Sequence, residues 1–280
     1  MNNPWNNRRP SARPPRATPL PREAAATPPA GPGGNDELRL FGVNAVVAVF
    51  NARPQAIRKL YLLEAQIPRL QPLLKWCVAN RVGYRVVEDG DLNKLAGTTH
   101  HEGIVADVLR APVLPLAQWL QQVPEGPALA LWLDGVGNPH NLGAILRSAA
   151  HFGVSALLLP ADSTLGISGA AARVAEGGAE AVPLVRLPGD VEAMAQLRGA
   201  GFGLAATLVE EGENVFSAAL PQRLVYVMGA EREGMDRRLA SECDLSVSIP
   251  GSGAVESLNV AAATAVLLAQ WARPQSGFQA

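Results

Sequence analysis

Apolar and polar positions fall in short blocks along most of this chain, and the blocks switch period repeatedly. An apolar stretch at 43–50 and the strand-like Lys59-Leu60-Tyr61-Leu62-Leu63 precede a helical run at 68–80. Tyr84-Arg85-Val86-Val87 and Ile104-Val105-Ala106-Asp107-Val108 follow as short β-branched strands, which predicts a small α/β domain over 37–110. Prolines at 112, 115, 124 and 127, with one short amphipathic piece at 116–120, predict a connector over 111–127. Beyond it, apolar strand-like blocks at 128–133, 156–159, 181–185, 203–207, 224–228 and 245–249 are interleaved with helical spacing at 142–152, 170–176, 191–198 and 260–271. Such alternation predicts, for 128–280, a mostly parallel sheet with helices on both faces. Ligands of such α/β folds gather at the carboxyl ends of strands, so the loops after Leu133, Met228 and Ile249 are the ones that carry chemistry.

Composition changes this picture at its margins. With 280 residues and 48% hydrophobic content the chain has enough apolar surface for real cores. Residues 1–36 are the exception: nine prolines and Arg8, Arg9, Arg13, Arg16 and Arg22 face only Glu23 and Asp36. This segment is expected to be a disordered, solubilising tail, with salt-sensitive phosphate affinity as the alternative. The net charge of −1 gives no overall support to nucleic-acid binding, so any such site must be a local patch. Cys77 and Cys243 lack metal-ligand or disulfide spacing, which suits a reducing compartment and no metal. No apolar run is long enough to cross a bilayer, and the N-terminus lacks a signal-peptide core; the expectation is a cytoplasmic protein without membrane contact.

The first loop reads Asp134-Gly135-Val136-Gly137-Asn138-Pro139-His140-Asn141-Leu142-Gly143. A dinucleotide fingerprint would need glycine where His140 stands, and Pro139 removes an amide that could hold a pyrophosphate; both count against a nicotinamide-dependent oxidoreductase. Asn138 instead reads as an N-cap, Pro139 as the first helical residue and Gly153 as the stop. Helical spacing puts Leu142, Ile145, Leu146 and Ala149 on a buried stripe and aligns Arg147 with His140 and His151 on the opposite face. By spacing alone Arg147 reads as a surface arginine ahead of a catalytic one. Gly229, directly after the strand ending at Met228, marks either a close approach to the backbone or a plain turn. In the third loop Ser257 and Asn259 are candidate helix caps.

Taken together, three segments resemble the signature motifs of the SpoU/TrmH family of RNA 2′-O-methyltransferases. They are Asn138-Pro-His-Asn141-Leu-Gly143 through Arg147 to Gly153, then Met228-Gly229-Ala-Glu231-Arg-Glu-Gly234-Met, and Ile249-Pro250-Gly-Ser-Gly253-Ala-Val-Glu-Ser257-Leu258-Asn259-Val260. Gly42-Val-Asn44-Ala-Val and His101-Glu102-Gly103 resemble that family's ribosomal-protein-L30e-like RNA-recognition domain. Gly251, Glu256 and Glu102 depart from the residues usual in relatives.

The resemblance implies an α/β methyltransferase domain of the SPOUT class with a deep trefoil knot, which no periodicity argument yields. It implies S-adenosylmethionine held by Gly229, Ile249 and Leu258, and a homodimer that completes its sites across an interface involving the last helix. Arg147 matches the family's catalytic arginine, with Asn141 and Glu231 nearby in the motifs and Ser257 and Asn259 closing the site. The resemblance tilts His101, otherwise a turn or core histidine, towards RNA, and Arg53 reads as a surface arginine with an RNA phosphate contact as the alternative. The implied reaction is methylation of a ribose 2′-hydroxyl, of guanosine by family expectation, in ribosomal RNA or tRNA. The alternative is an RNA-binding protein that keeps this fold with weak catalysis.

Overall fold

The structure is a computed structural model that describes residues 37–229 and 234–273. Its first part runs β1 (Glu37–Phe41), α1 (Val43–Ala52), β2 (Ile57–Leu62), α2 (Gln71–Ala79), β3 (Gly83–Val86), α3 (Asp89–Ala96) and β4 (Ile104–Leu109). The strands form a sheet in the order β1-β4-β2-β3, with β4 antiparallel to both neighbours and β2 parallel to β3. Strand alternation selects the faces. Leu38, Leu40, Leu60, Leu62, Ala106 and Val108 share one core with Val46 and Val49 of α1 and Leu73 and Cys77 of α2. Phe41 and Val105 turn the other way, beneath Leu92 of α3. Helix α3 has too few apolar residues to show a periodic signal. It is held by its ends: Asp89 and Asp91 lie in the first turn, Lys94 in the last, and Gly97 closes it at φ +67°.

The second part runs β5 (Leu114–Pro115), α4 (Leu116–Leu120), β6 (Ala128–Leu133), α5 (Pro139–His151), β7 (Ala156–Leu159), α6 (Gly169–Ala175), α7 (Gly178–Ala181), β8 (Leu184–Arg186) and α8 (Asp190–Gly199). It continues with β9 (Gly203–Leu208), β10 (Glu213–Asn214), β11 (Arg223–Met228), α9 (Arg237–Ser241), β12 (Leu245–Ser248) and α10 (Val260–Ala272). All neighbours in its sheet, ordered β10-β12-β9-β11-β6-β7-β8-β5, are parallel. Residues 111–127 are more than a connector. Leu114 and Pro115 pair with β8 at the sheet edge, and Leu116 and Trp119 of α4 are buried in the core.

Helices cover both faces, which is why β6 and β7 are apolar at every position. On one face α5 and α10 bury Leu142, Ile145, Leu146, Leu267 and Trp271 against Leu131, Leu133 and Tyr226. On the other α4 and α8 pack Trp119, Met194 and Leu197 onto Trp132, Leu158 and Val225. Full burial of each such side chain contributes roughly 1.5–3 kcal/mol. From β6 the chain steps to β7 and β8 on one side, then crosses to β9, β11 and β12 on the other. The order thus reverses between β6 and β11, where an open parallel sheet leaves a crevice for ligands.

Candidate active site

The loops after β6 and β11 issue from the carboxyl ends of their strands at that reversal, and the loop after β12 leaves the same edge two strands beyond β11. Asp134 N–H donates to the Met228 carbonyl at 2.8 Å, tying the ends of β6 and β11 together. Asn138 caps α5, its side chain accepting from the His140 N–H at 2.9 Å, with Pro139 at the first helical position and Gly153 at φ +70° beyond the end. Leu142, Ile145, Leu146 and Ala149 are buried as their spacing predicts, and His140, Arg147 and His151 are exposed.

Gly229 answers the choice between close approach and plain turn. A Cβ there would stand 2.3 Å from the Met235 nitrogen and 2.5 Å from the Gly234 carbonyl carbon, so the returning loop passes directly over it. Glu231 lies outside the described residues. Ile249 leaves β12 partly buried against the core, and Ser257 and Leu258 are exposed. Leu258 at 49% and Val255 at 71% exposure leave two apolar side chains uncovered beside the strand ends.

Asn259 does two things at once. Its Oδ1 accepts from the Ala261 N–H at 2.9 Å, capping α10, while its Nδ2 donates to Asn141 Oδ1 at 3.2 Å. The first and third loops therefore meet at an asparagine pair. Asp134 lines a cleft of about 440 Å³ with Gly135, Val136, Pro160, Asp162 and Thr164. Burial, followed by the charges of Asp190, Asp236 and Asp162, pushes its carboxyl above the ordinary value. Sequence reasoning passed over Asp134 as a site residue; its position at the end of a buried strand was the available signal.

Arg147 occupies a different groove, of about 570 Å³, shared with His151 and Ser148 of α5, Glu176, Gly178, and Asn44 of α1. The two candidate RNA contacts of the first part have partners within the fold. Arg53 donates from Nε and Nη2 to Glu180 at 2.6 and 2.8 Å and from Nη1 to the Leu109 carbonyl, which occupies its guanidinium. His101 is 3% exposed, its Nδ1 accepting from the Gly103 N–H at 3.0 Å. It braces the turn before β4. Residue type and motif position do not reveal a partner supplied by the fold. Glu102 accepts from the Val43 N–H at 3.0 Å at the start of α1 and lies 3.0 Å from Arg173 Nε. Gly251 and Glu256 are exposed.

Two family models match the chain: the SpoU rRNA Methylase family over residues 128–269, and RNA 2′-O ribose methyltransferase substrate binding over residues 39–112. The chain belongs to the SpoU rRNA methylase family. The 23S rRNA (guanosine-2′-O-)-methyltransferase RlmB of Bordetella pertussis is 38% identical over 241 residues, covering 85% of this chain and 98% of that protein. A protein of Escherichia coli O157:H7 named as an uncharacterized tRNA/rRNA methyltransferase, YfiF, is 39% identical over 238 residues, covering 85% and 68% of the two. Among solved structures, the SpoU methyltransferase AviRb from Streptomyces viridochromogenes, in complex with the cofactor AdoMet, aligns with a TM-score of 0.71 at 25% identity over 86% of this chain and 91% of that one.

In this SpoU chain the methylase match covers the eight-stranded sheet from β6 onward and the substrate-binding match covers the four-stranded sheet. Among the described residues no group of His, Cys, Asp and Glu is arranged to hold a metal ion, and no helix is long and apolar enough to cross a membrane.

Proposed function

We propose that this chain transfers the methyl group of S-adenosylmethionine to a ribose 2′-hydroxyl of RNA, with guanosine in ribosomal RNA, the target named for RlmB, as the leading substrate. The observation that carries the reading is the meeting of Asn141 and Asn259, which joins the first and third family motifs at the carboxyl edge of the sheet. S-adenosylmethionine supplies an electrophilic methyl group on a sulfonium centre. The residues present fit it: loop 234–235 crosses Gly229 so closely that only backbone fits there, Ile249 is partly buried at the end of its strand, and Leu258 offers uncovered apolar surface to a purine.

A ribose hydroxyl must shed its proton as it attacks the methyl carbon, so the site needs an oriented phosphate and a stabilised oxyanion. Arg147 is suited to both and not to accepting the proton, since guanidinium stays protonated in proteins. Asn141 and Asn259 orient the loops, with Ser257 and Glu231 as further members of the site. The four-stranded sheet and its helices, residues 37–110, form the RNA-recognition domain, and 128–280 form the catalytic one. Arg53 and His101 are engaged internally, and the exposed stripe His140, Arg147 and His151 contributes the RNA contacts.

Two finer features follow from the family. The segment between β9 and β11 passes outside β12, where Val215 N–H donates to the Ser248 carbonyl at 3.0 Å. Trp271 Nε1 of α10 then donates to the Pro221 carbonyl of that segment at 3.3 Å, in keeping with a C-terminus threaded as a trefoil knot. Ala262 and Ala269 are exposed and Val266 half-buried on one face of α10, which supports a homodimer packed through this helix. The work is cytoplasmic, where the RNA substrate resides.

The test is incubation of the protein, beside Arg147→Ala, with methyl-labelled S-adenosylmethionine and total RNA from cells lacking it, followed by mapping of alkali-resistant riboses. Label at one defined ribose, lost in the variant, establishes the reaction and its target. Bound S-adenosylmethionine without transfer to any RNA would favour an RNA-binding protein of weak catalysis.

A further inference from the structure

Arg53 closes the C-terminal end of α1, and its guanidinium makes a two-pronged contact with Glu180 of α7, at 2.6 and 2.8 Å, with the side chains only 18% and 12% exposed. A forked, water-poor pair of this kind holds geometry in a way that an exposed ion pair does not. Its third contact, to the Leu109 carbonyl at the end of β4, anchors the arginine within the first sheet's own frame. Glu180 belongs to the other part of the chain, and two glycines lie just before it. A Cβ on Gly177, which sits at φ +97°, would stand 3.3 Å from the Ala48 Cβ of α1. A Cβ on Gly178 would stand 2.5 Å from the Leu146 carbonyl oxygen and 3.2 Å from the Arg147 Cα. Helix α7 and its N-cap are thus wedged between the Ala48 methyl of α1 and the backbone of the turn of α5 that carries Arg147.

The neighbouring helix repeats the arrangement. On α6, Ala172 is buried in the core of the first sheet while Ala171 and Ala175 belong to the core of the second. Glu102 reaches both Val43 N–H of α1 and Arg173 of α6, and Asn44 Nδ2 donates to Glu176 at the rim of the groove that holds Arg147.

We propose that Arg53 and Glu180 form a clamp that sets the N-terminal unit against the α6–α7 corner and thereby positions Arg147. Arg53 is a positioning residue and makes no phosphate contact. The inference rests on the methyl-transfer reading for its link to catalysis. With glycines in the wedge, no flexible side chain absorbs a displacement between α1 and Arg147. Displacements of about 1 Å at a reacting centre cost on the order of a hundredfold in rate. RNA held by the first unit is in this way presented to Arg147 on one continuous frame.

The experiment compares Arg53→Ala, Glu180→Ala and the double variant by amide hydrogen exchange over residues 43–53 and 177–181, and by kcat and KM for RNA. The clamp predicts faster exchange in both segments for each single variant and a kcat lowered roughly tenfold. It also predicts a double variant no worse than either single, as expected of coupled partners, with KM for RNA and the Kd for S-adenosylmethionine unchanged within about twofold. A raised KM with a shallower salt dependence in Arg53→Ala, absent or reversed in Glu180→Ala, would instead make Arg53 a phosphate contact and overturn the proposal. Unchanged exchange in both single variants would also overturn it. If the single variants do not fold, the exchanged pair Arg53→Glu with Glu180→Arg decides: recovery of fold and kcat supports the clamp, and failure to recover rejects it. Should the native protein transfer no methyl group, that reading fails alone, because the exchange measurement still tests the clamp.

Discussion

Asn259 donates to Asn141 across 118 residues of sequence, at 3.2 Å, while its own carbonyl oxygen caps the last helix on Ala261. One side chain thus fixes the start of α10 and links two loops of the site. The two roles separate by substitution. Asn259→Asp keeps the cap but loses the donor, whereas Asn259→Ala loses both. Asn259→Ala should lose about 1 kcal/mol of stability, the usual worth of an N-cap, and Asn259→Asp should lose little. Both should weaken S-adenosylmethionine binding. Thermal melts with and without the cofactor check both statements.

Gly229→Ala places a methyl group where the Met235 nitrogen lies 2.3 Å away, and the obstacle is backbone. Loop 234–235 must move. The expected result is a destabilisation of about 1–3 kcal/mol, as for overpacked sites, with at least tenfold weaker cofactor binding by calorimetry. Cofactor affinity equal to that of the native protein would remove Gly229 from the binding site.

Arg147→Lys keeps the charge and loses the planar fork. If the residue orients a phosphate and a developing oxyanion, kcat should fall on the order of a hundredfold while cofactor affinity holds. Single-turnover transfer to the mapped ribose measures this, and full turnover in the variant would reject the role.

The carboxyl of Asp134 is raised in the folded protein from its ordinary value of 3.8, first by burial and then by Asp190, Asp236 and Asp162. A raised folded value means that the folded state holds the proton more tightly than the unfolded state does. Asp134 therefore costs stability when ionised, and the cost disappears as the pH falls through the folded value towards 3.8. Asp134→Asn should melt above the native protein at pH 7, and the gap should narrow on acidification. A gap that widens on acidification would contradict the assignment.

Burial pushes the Cys77 thiol up to about 11. Little thiolate is present at neutral pH, and the sulfur lies beneath α2. Alkylation of Cys77 should therefore be slow in the folded protein and should reach the rate of a free thiol in denaturant, as followed by mass spectrometry.

Much of the architecture was legible in residue order alone. Asn138-Pro139 and Gly153 bracket α5 as their capping chemistry requires, the apolar blocks from 128 onward became parallel strands, and three ordered loops pointed to the SpoU family. These signals are local, set by dihedral preference and by periodicity within a few turns. What the chain order left open was decided by contact between distant residues. Arg53 looked like a surface arginine until Glu180, 127 positions away, took its guanidinium, and His101 looked available until the turn before β4 buried it. Helix α3 and strand β5 carry too few apolar residues to announce themselves and exist through end charges, a glycine stop and an edge partner. The meeting of Asn141 with Asn259 belongs to the same class, since only the parallel pairing of β6, β11, β9 and β12 brings their loops to one edge. Sequence determines which side chains can serve, because chemistry is a property of the residue. The tertiary structure decides which of them are already spent on one another, because partners are a property of distance.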